Sequence, residues 1–237
     1  METQIMAMQA VVFTSFFIME RVKPARHYPD APGWNWWWAA VQLYAAAWTA
    51  SYLSAWSGLP LIWHPLDGLS DWQQLLIGYA VYSFAAYWWH RAKHRFHPLW
   101  HYLHFAHHAA AHMETRVAFW RHPIEIFANS AVIVIVARLG LGLDATIIWS
   151  VLVIEGTLES FHHANVNTPR WLRPLGYVVQ IPEQHLVHHQ RGLHRFNYAT
   201  ITFWDAIFGT LRLPEDWNER LGVSVWPRFS RLLYFRY

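Results

Sequence analysis

The chain has 237 residues and a mass of 28.0 kDa; 54% of its residues are apolar and only 14% charged, against roughly 25% charged in an average soluble domain. That balance excludes a disordered chain and argues against an ordinary soluble enzyme, and the lack of cysteine excludes disulfides, thiolate metal sites and a cysteine nucleophile. Net charge is +3 with a pI near 9.3, a basicity whose meaning depends on where the charges lie.

Residues 3–19 carry no charge and end at Glu20 and Arg21. Residues 31–66 contain no Asp, Glu, Lys or Arg, and 36–56 within them would make a span; 72–89 form a third uncharged run. About 20 predominantly apolar residues cross a hydrocarbon core of roughly 30 Å, so all three are predicted spans. Residues 124–161 are apolar but interrupted by Arg138, Asp144, Glu155 and Glu159. Within them Leu139, Gly140, Leu141 and Gly142 read as a turn, predicting a helical hairpin that is either full or re-entrant. Trp36, Trp37, Trp38, Trp56, Trp63, Trp72, Trp88 and Trp89 sit near the ends of these runs, as in an interfacial aromatic belt. The N-terminus lacks the basic region and cleavage site of a secretory leader.

If the first span runs from outside to inside, Arg21, Lys23, Arg26, Arg91, Lys93, Arg95, Arg116, Arg121 and everything from Arg170 onward fall on the inner side. Only Arg138, at the hairpin tip, falls on the other, and the 56–72 loop holds Asp67 and Asp71 but no Lys or Arg. This bias accounts for the basicity without a nucleic-acid partner. The expected fold is all-α: an integral membrane bundle of about three full spans plus a hairpin, with a cytosolic histidine-rich metal cap. Its expected divisions are N-terminal membrane segments at 1–70, a metal domain at 71–213 and an interfacial tail at 214–237. The tail mixes Arg228, Arg231 and Arg236 with Trp226, Phe229, Leu232, Tyr234 and Phe235, a pattern suited to an anionic membrane surface or to a packed, solvated tail. The expected location is a bacterial cytoplasmic membrane, with the active site facing the cytoplasm.

Seventeen histidines are the main clue to chemistry. His90 and His94 are four residues apart at the inner end of the third span. His104, His107 and His108 form one triplet, and His185, His188 and His189 repeat its spacing. On a helix, positions i, i+3 and i+4 share a face. Buried clustered imidazoles without metal would be costly, so the boxes point to metal. Eight nitrogen ligands exceed the four that one zinc takes, which argues for two ions, while imidazole alone does not name the metal. Glu155, Glu159 and His163 lie at i, i+4 and i+8, so Glu159 could ligate a metal, order a ligand's ring or pair with an arginine of the cap. His97 and His101 continue the first stripe, but Pro98 breaks the helix after His97, so both read as outer partners of the site or as surface residues. His112 and His194 read as surface residues, and His122 and Glu125 as the start of a helix.

The ordered set resembles the fatty acid hydroxylase superfamily of membrane-bound histidine-box proteins, which includes sterol desaturases. Besides the boxes, the matching residues are Arg121, His122, Pro123 and Glu125; Phe161 to Asn165 with His162 and His163; Asn197 and Tyr198; and Trp204, Asp205, Phe208, Gly209 and Thr210. Ala199 stands where the family's Asn-Tyr motif continues with Gly. The resemblance implies two iron ions, with zinc as a replacement during overexpression, and hydroxylation or desaturation of a lipid C–H bond with O₂. It adds His163 as a ninth ligand through a His-x-Asn motif ending at Asn165, with His162 as the fallback. The chain holds no haem motif and no dinucleotide fingerprint, so electrons are expected from a separate protein. Two rivals are a metal-dependent lipid hydrolase, since metal-bound water is a general nucleophile, and a metal transporter, which would place its ligands inside the spans. A haem protein would instead use one axial histidine from each of two facing helices.

Overall fold

A computed structural model describes residues 2–28, 61, 63–223 and 229–236. The described residues form helices joined by short loops and no strand; a single antiparallel bridge links Gln190 and Leu221. Three long helices carry the architecture. Helix α1 (Glu2–Val22) lies along α4 (Ala145–His163), with the Phe16 and Phe161 rings 5.5 Å apart. Helix α2 (Asp71–Arg95) packs on α4 from another side.

Local chemistry explains where α2 begins and ends. The Gln73 side chain accepts from the Ser70 backbone N–H at 3.0 Å while the Gln73 N–H reaches the Ser70 carbonyl at 2.9 Å, which satisfies donors that a helix start leaves bare. Asp71 in the first turn and Lys93, His94 and Arg95 in the last suit the helix dipole. The chain turns extended at Phe96, two residues before the break expected at Pro98. Pro98 then occupies the first turn of the next helix, where its missing N–H costs nothing. That stretch runs through helical His97–Leu99, a π-helical Trp100–His104 and helical Phe105–His108.

The predicted hairpin is present. Helix α3 (Pro123–Ile133) continues as a π-helical segment, Val134–Gly140, and α4 returns after a turn. His122 starts α3 by accepting the Ile124 N–H on its ring nitrogen at 3.2 Å. Gly142 holds φ +66, and a Cβ there would meet the Trp63 carbonyl oxygen, so the turn needs glycine. Gly78 of α2 lets the hairpin approach, with Leu143 packed where a Cβ would stand. Helices α5 (Pro182–His188), α6 (Phe203–Ile207) and α7 (Phe229–Leu233) are short.

Two cores flank the site. Tyr82, Ile133, Ala137, Leu143, Ile147 and Val151 fill the space between α2 and the hairpin. Ala106, Ala109, Met113, Val117, Trp120 and Leu186 fill the histidine-rich end. Among the described residues one helix, Pro123–Gly140, is long and apolar enough to cross a membrane. Helices form over the predicted spans 3–19 and 72–89; the second falls below that mark, its mean hydropathy lowered by Gln73, Gln74 and its tyrosines and tryptophans. The expected span at 36–56 lies outside the described residues.

Candidate metal centre

The end of α2, the His97–His108 stretch, the end of α4 and α5 converge. All nine histidines singled out as ligands are brought together, in two adjoining groups. His90, His94, His104, His108 and His188 form one; His107, His163, His185 and His189 form the other. Within each group the ring nitrogens lie within 4.8 Å of one another. Helical spacing explains the division. Positions 104 and 108, four apart, serve the first group while 107 turns to the second; 185 and 189 serve the second while 188 turns to the first. Each triplet therefore reaches both groups.

Backbone and side-chain acceptors orient the rings. His90 Nδ1 lies 2.6 Å from the Tyr198 carbonyl and His107 Nδ1 3.1 Å from that of Trp120. His163 Nδ1 and His188 Nδ1 each lie 2.8 Å from a carbonyl, those of Glu159 and Phe196. His185 Nδ1 meets the Gln180 side chain at 2.7 Å and His104 Nδ1 the Glu125 carboxylate at 2.6 Å. A carbonyl or carboxylate oxygen only accepts, so each of these Nδ1 atoms carries its hydrogen and each Nε2 is left as a bare lone pair.

The bare nitrogens face one another. Nε2 of His90 lies 2.9 Å from that of His104, and Nε2 of His185 lies 2.9 Å from that of His163. His107 and His163 bring theirs to 3.4 Å. Two lone pairs so close repel unless a cation stands between them. Nitrogens about 2.1 Å from one ion and roughly 90–109° apart are about 3.0–3.4 Å from each other, so the spacing fits ligation. His188 Nε2 and both ring nitrogens of His189 are buried without a partner, which a metal would also relieve. Burial, reinforced for most of the nine by neighbouring imidazoles, holds all nine rings below the ordinary histidine range, His188 down to about 3. They are neutral near pH 7, the state in which imidazole binds metal.

The remaining sequence candidates lie beside these groups. The Glu159 carboxylate takes the Arg121 guanidinium at 2.6 Å and stands 3.7 and 3.8 Å from ring nitrogens of His163 and His162. His162 is buried outside both imidazole groups but shares a third possible ligand cluster with Glu159 and His163; it packs on His185 at 4.3 Å, and its Nδ1 is unpartnered. Asn165 exchanges both side-chain hydrogen bonds with the Arg26 backbone, tying the end of α4 to the segment after α1.

Two histidines read as surface residues are not: His194 is half-buried with Nδ1 3.1 Å from that of His108, and His112 is buried beside Glu114 at 3.1 Å. Glu125, read as a helix-start residue, is fully buried against His104 and Lys93. Its sequence signal was only proximity to Arg121 and His122, which does not reveal a contact to a ring 21 residues away. Asp205 holds the loop that carries the Tyr198 carbonyl, accepting the Tyr198 and Ala199 N–H groups at 2.8 Å each.

A cavity of about 430 Å³ reaches the imidazoles. His90, His104, His107, His163 and His185 line one end; Trp89 and Ala86 of α2, Ile126 and Val132 of the hairpin, and Leu152 and Trp149 of α4 line the rest. From His163 to Trp149 the helix rises about 21 Å at roughly 1.5 Å per residue. The cavity is long and mostly apolar; its charged and polar lining, among it Lys93, Arg121, Glu159 and Glu155, adds to that of Gln9, Asn129 and Ser130.

Paired groups of neutral imidazoles at the end of an apolar cavity, held by helices, define a histidine-box helical protein. The model of the fatty acid hydroxylase family matches residues 75–210, more than half of the 237, and the chain belongs to that family. The chain is similar to the alkylglycerol monooxygenase of Homo sapiens, 26% identical over 178 residues that cover 74% of this chain and 37% of that protein. It is similar to the Xenopus tropicalis enzyme of the same name, 27% identical over 180 residues covering 74% and 38%. The chain thus spans well under half the length of these curated relatives. No solved structure matches.

Proposed function

We propose that this chain is a membrane-bound di-iron oxygenase that uses O₂ and electrons from a separate protein to hydroxylate a lipid C–H bond. The observation that carries the reading is the meeting of two sets of bare Nε2 atoms with a long apolar cavity. His90, His94, His104, His108 and His188 would hold one iron, and His107, His163, His185 and His189 the other. When bound, the pair supplies the redox chemistry that activates O₂. The chain's own residues do the rest: the carbonyls and side chains around the boxes fix ring tautomers, and the cavity lining aligns an alkyl chain while excluding water. Family membership and the monooxygenase relatives favour oxygen insertion over desaturation.

The outer surface supports a bilayer setting. Ile124, Phe127, Ile135 and Leu139 of the hairpin and Val81, Phe84 and Trp88 of α2 are exposed, more apolar side chains than a water-facing surface ordinarily presents together. Since the hairpin lines the cavity, a lipid chain can enter from the membrane side. In this reading 71–213 is the catalytic unit, 1–70 anchors it and 214–237 lies at the interface, with the boxes toward the cytoplasm.

Lipid mass spectrometry of cells with and without the gene tests the reaction. The expected product is a lipid that has gained one oxygen atom; a product that has lost two hydrogens would reassign the enzyme as a desaturase. An unchanged lipid profile in aerobic, iron-replete cells would contradict the proposal.

A further inference from the structure

The Nδ1 partners of the nine rings are not alike. His90, His107, His163 and His188 use backbone carbonyls, and His185 uses the neutral Gln180 amide. Among the nine, His104 alone brings a ring nitrogen within hydrogen-bond distance of a carboxylate, at 2.6 Å from Glu125 Oε1. Glu125 is fully buried, and the same Oε1 accepts from Lys93 Nζ at 2.7 Å, with Lys93 5% exposed. Lys93 also reaches Asn129 Oδ1 at 3.4 Å, and Asn129 is fixed in turn by the Trp89 indole N–H at 2.8 Å. Glu125 Oε2 has no partner.

A buried carboxylate with one oxygen unpartnered is an expensive feature for a merely structural contact. Isolated from water, it needs both the Lys93 ammonium and the His104 N–H. A carboxylate on the outer N–H of an imidazole fixes the ring and raises its basicity as a metal ligand, more strongly than a neutral carbonyl does.

We propose that Glu125 is an anionic positioning residue for His104, held in place by Lys93, and that it makes the five-imidazole site the tighter of two inequivalent metal sites. The proposal rests on the two-metal reading above and assigns each site a different strength. The His107 site, whose hydrogen-bonded ring partners are neutral and whose nearest carboxylate, Glu159, stands off at 3.7 Å from His163 Nδ1, releases its ion first.

The test uses purified full-length protein, loaded with iron or zinc and titrated with a competing chelator while metal per chain is counted. The wild type is expected to release its two ions in two resolved steps. Lys93→Met, which leaves the carboxylate on His104, is expected to keep two resolved steps and is the reference against which the double variants are read. Because Glu125→Gln strands the Lys93 charge, it is examined in the Lys93→Met background. There Gln keeps an acceptor but loses the charge, and the tighter step should weaken about 10-fold. Glu125→Leu loses both, and the step should weaken toward about 100-fold, the range typical of lost outer partners. The weaker step should not move in either. Wild-type chelation curves in both double variants, or an equal loss from both sites, would overturn the proposal. A wild type that binds no transition metal would instead refute the two-metal reading itself.

Discussion

Alanine at His107 is expected to strip one metal ion from the chain and abolish turnover. The substitution leaves three imidazoles in a group of four, opens a void at a fully buried position and leaves the ion one protein ligand short. His188→Ala leaves four of five, so that ion should be held more weakly rather than lost outright, with turnover again greatly reduced. His27→Ala and His64→Ala, far from both groups in the sequence and outside them in the structure, should keep both ions and full turnover. Metal analysis of the four purified variants beside turnover checks the ranking. A wild type with one ion per chain, unaffected by either box substitution, would contradict the two-group geometry.

The second large effect is at Arg121 and Glu159. Their 2.6 Å ion pair is mostly buried, with side chains 20% and 21% exposed. Removing one partner strands the other beside the cavity, and breaking such a pair costs about 3–5 kcal/mol. Arg121→Met should therefore lower unfolding stability on that scale, while Arg121→Met with Glu159→Gln should recover most of it. Glu159→Gln alone should lose stability yet keep both ions, because His163 Nδ1 is already satisfied by the Glu159 backbone carbonyl at 2.8 Å, an acceptor that the substitution leaves in place. Equilibrium unfolding and metal analysis on the three variants separate the outcomes. Loss of about one ion per chain from Glu159→Gln would make the carboxylate a ligand.

The sequence made the boxes readable because their information is local: i, i+3 and i+4 spacing places rings on one helix face whatever the rest of the fold does. The hairpin turn at Gly140 and Gly142 was readable for the same reason. What could not be read was how the triplets divide. That depends on the meeting of four separate segments, and nothing in the spacing says that 188 leaves 185 and 189 for His90 and His94. The carbonyls of Trp120, Phe196 and Tyr198 carry no side-chain signature at all. Phe196 and Asn197 adopt left-handed backbone, φ +63 and +49, a conformation uncommon outside glycine that sequence pattern does not announce. Glu125 illustrates a subtler miss. Its place in the first turn of α3 gave it a sufficient local explanation, and the contact with His104 comes from packing between elements.

The site is proposed to insert one atom of O₂ into a lipid C–H bond. The most direct measurement supplies purified, iron-loaded protein with a lipid substrate, a reductant and oxygen-18 gas, then weighs the product. The account predicts one labelled oxygen per product molecule, none of it from solvent, and no product from the His107→Ala variant. Oxygen drawn from water, with turnover unchanged in the absence of O₂, would contradict it and make the centre hydrolytic.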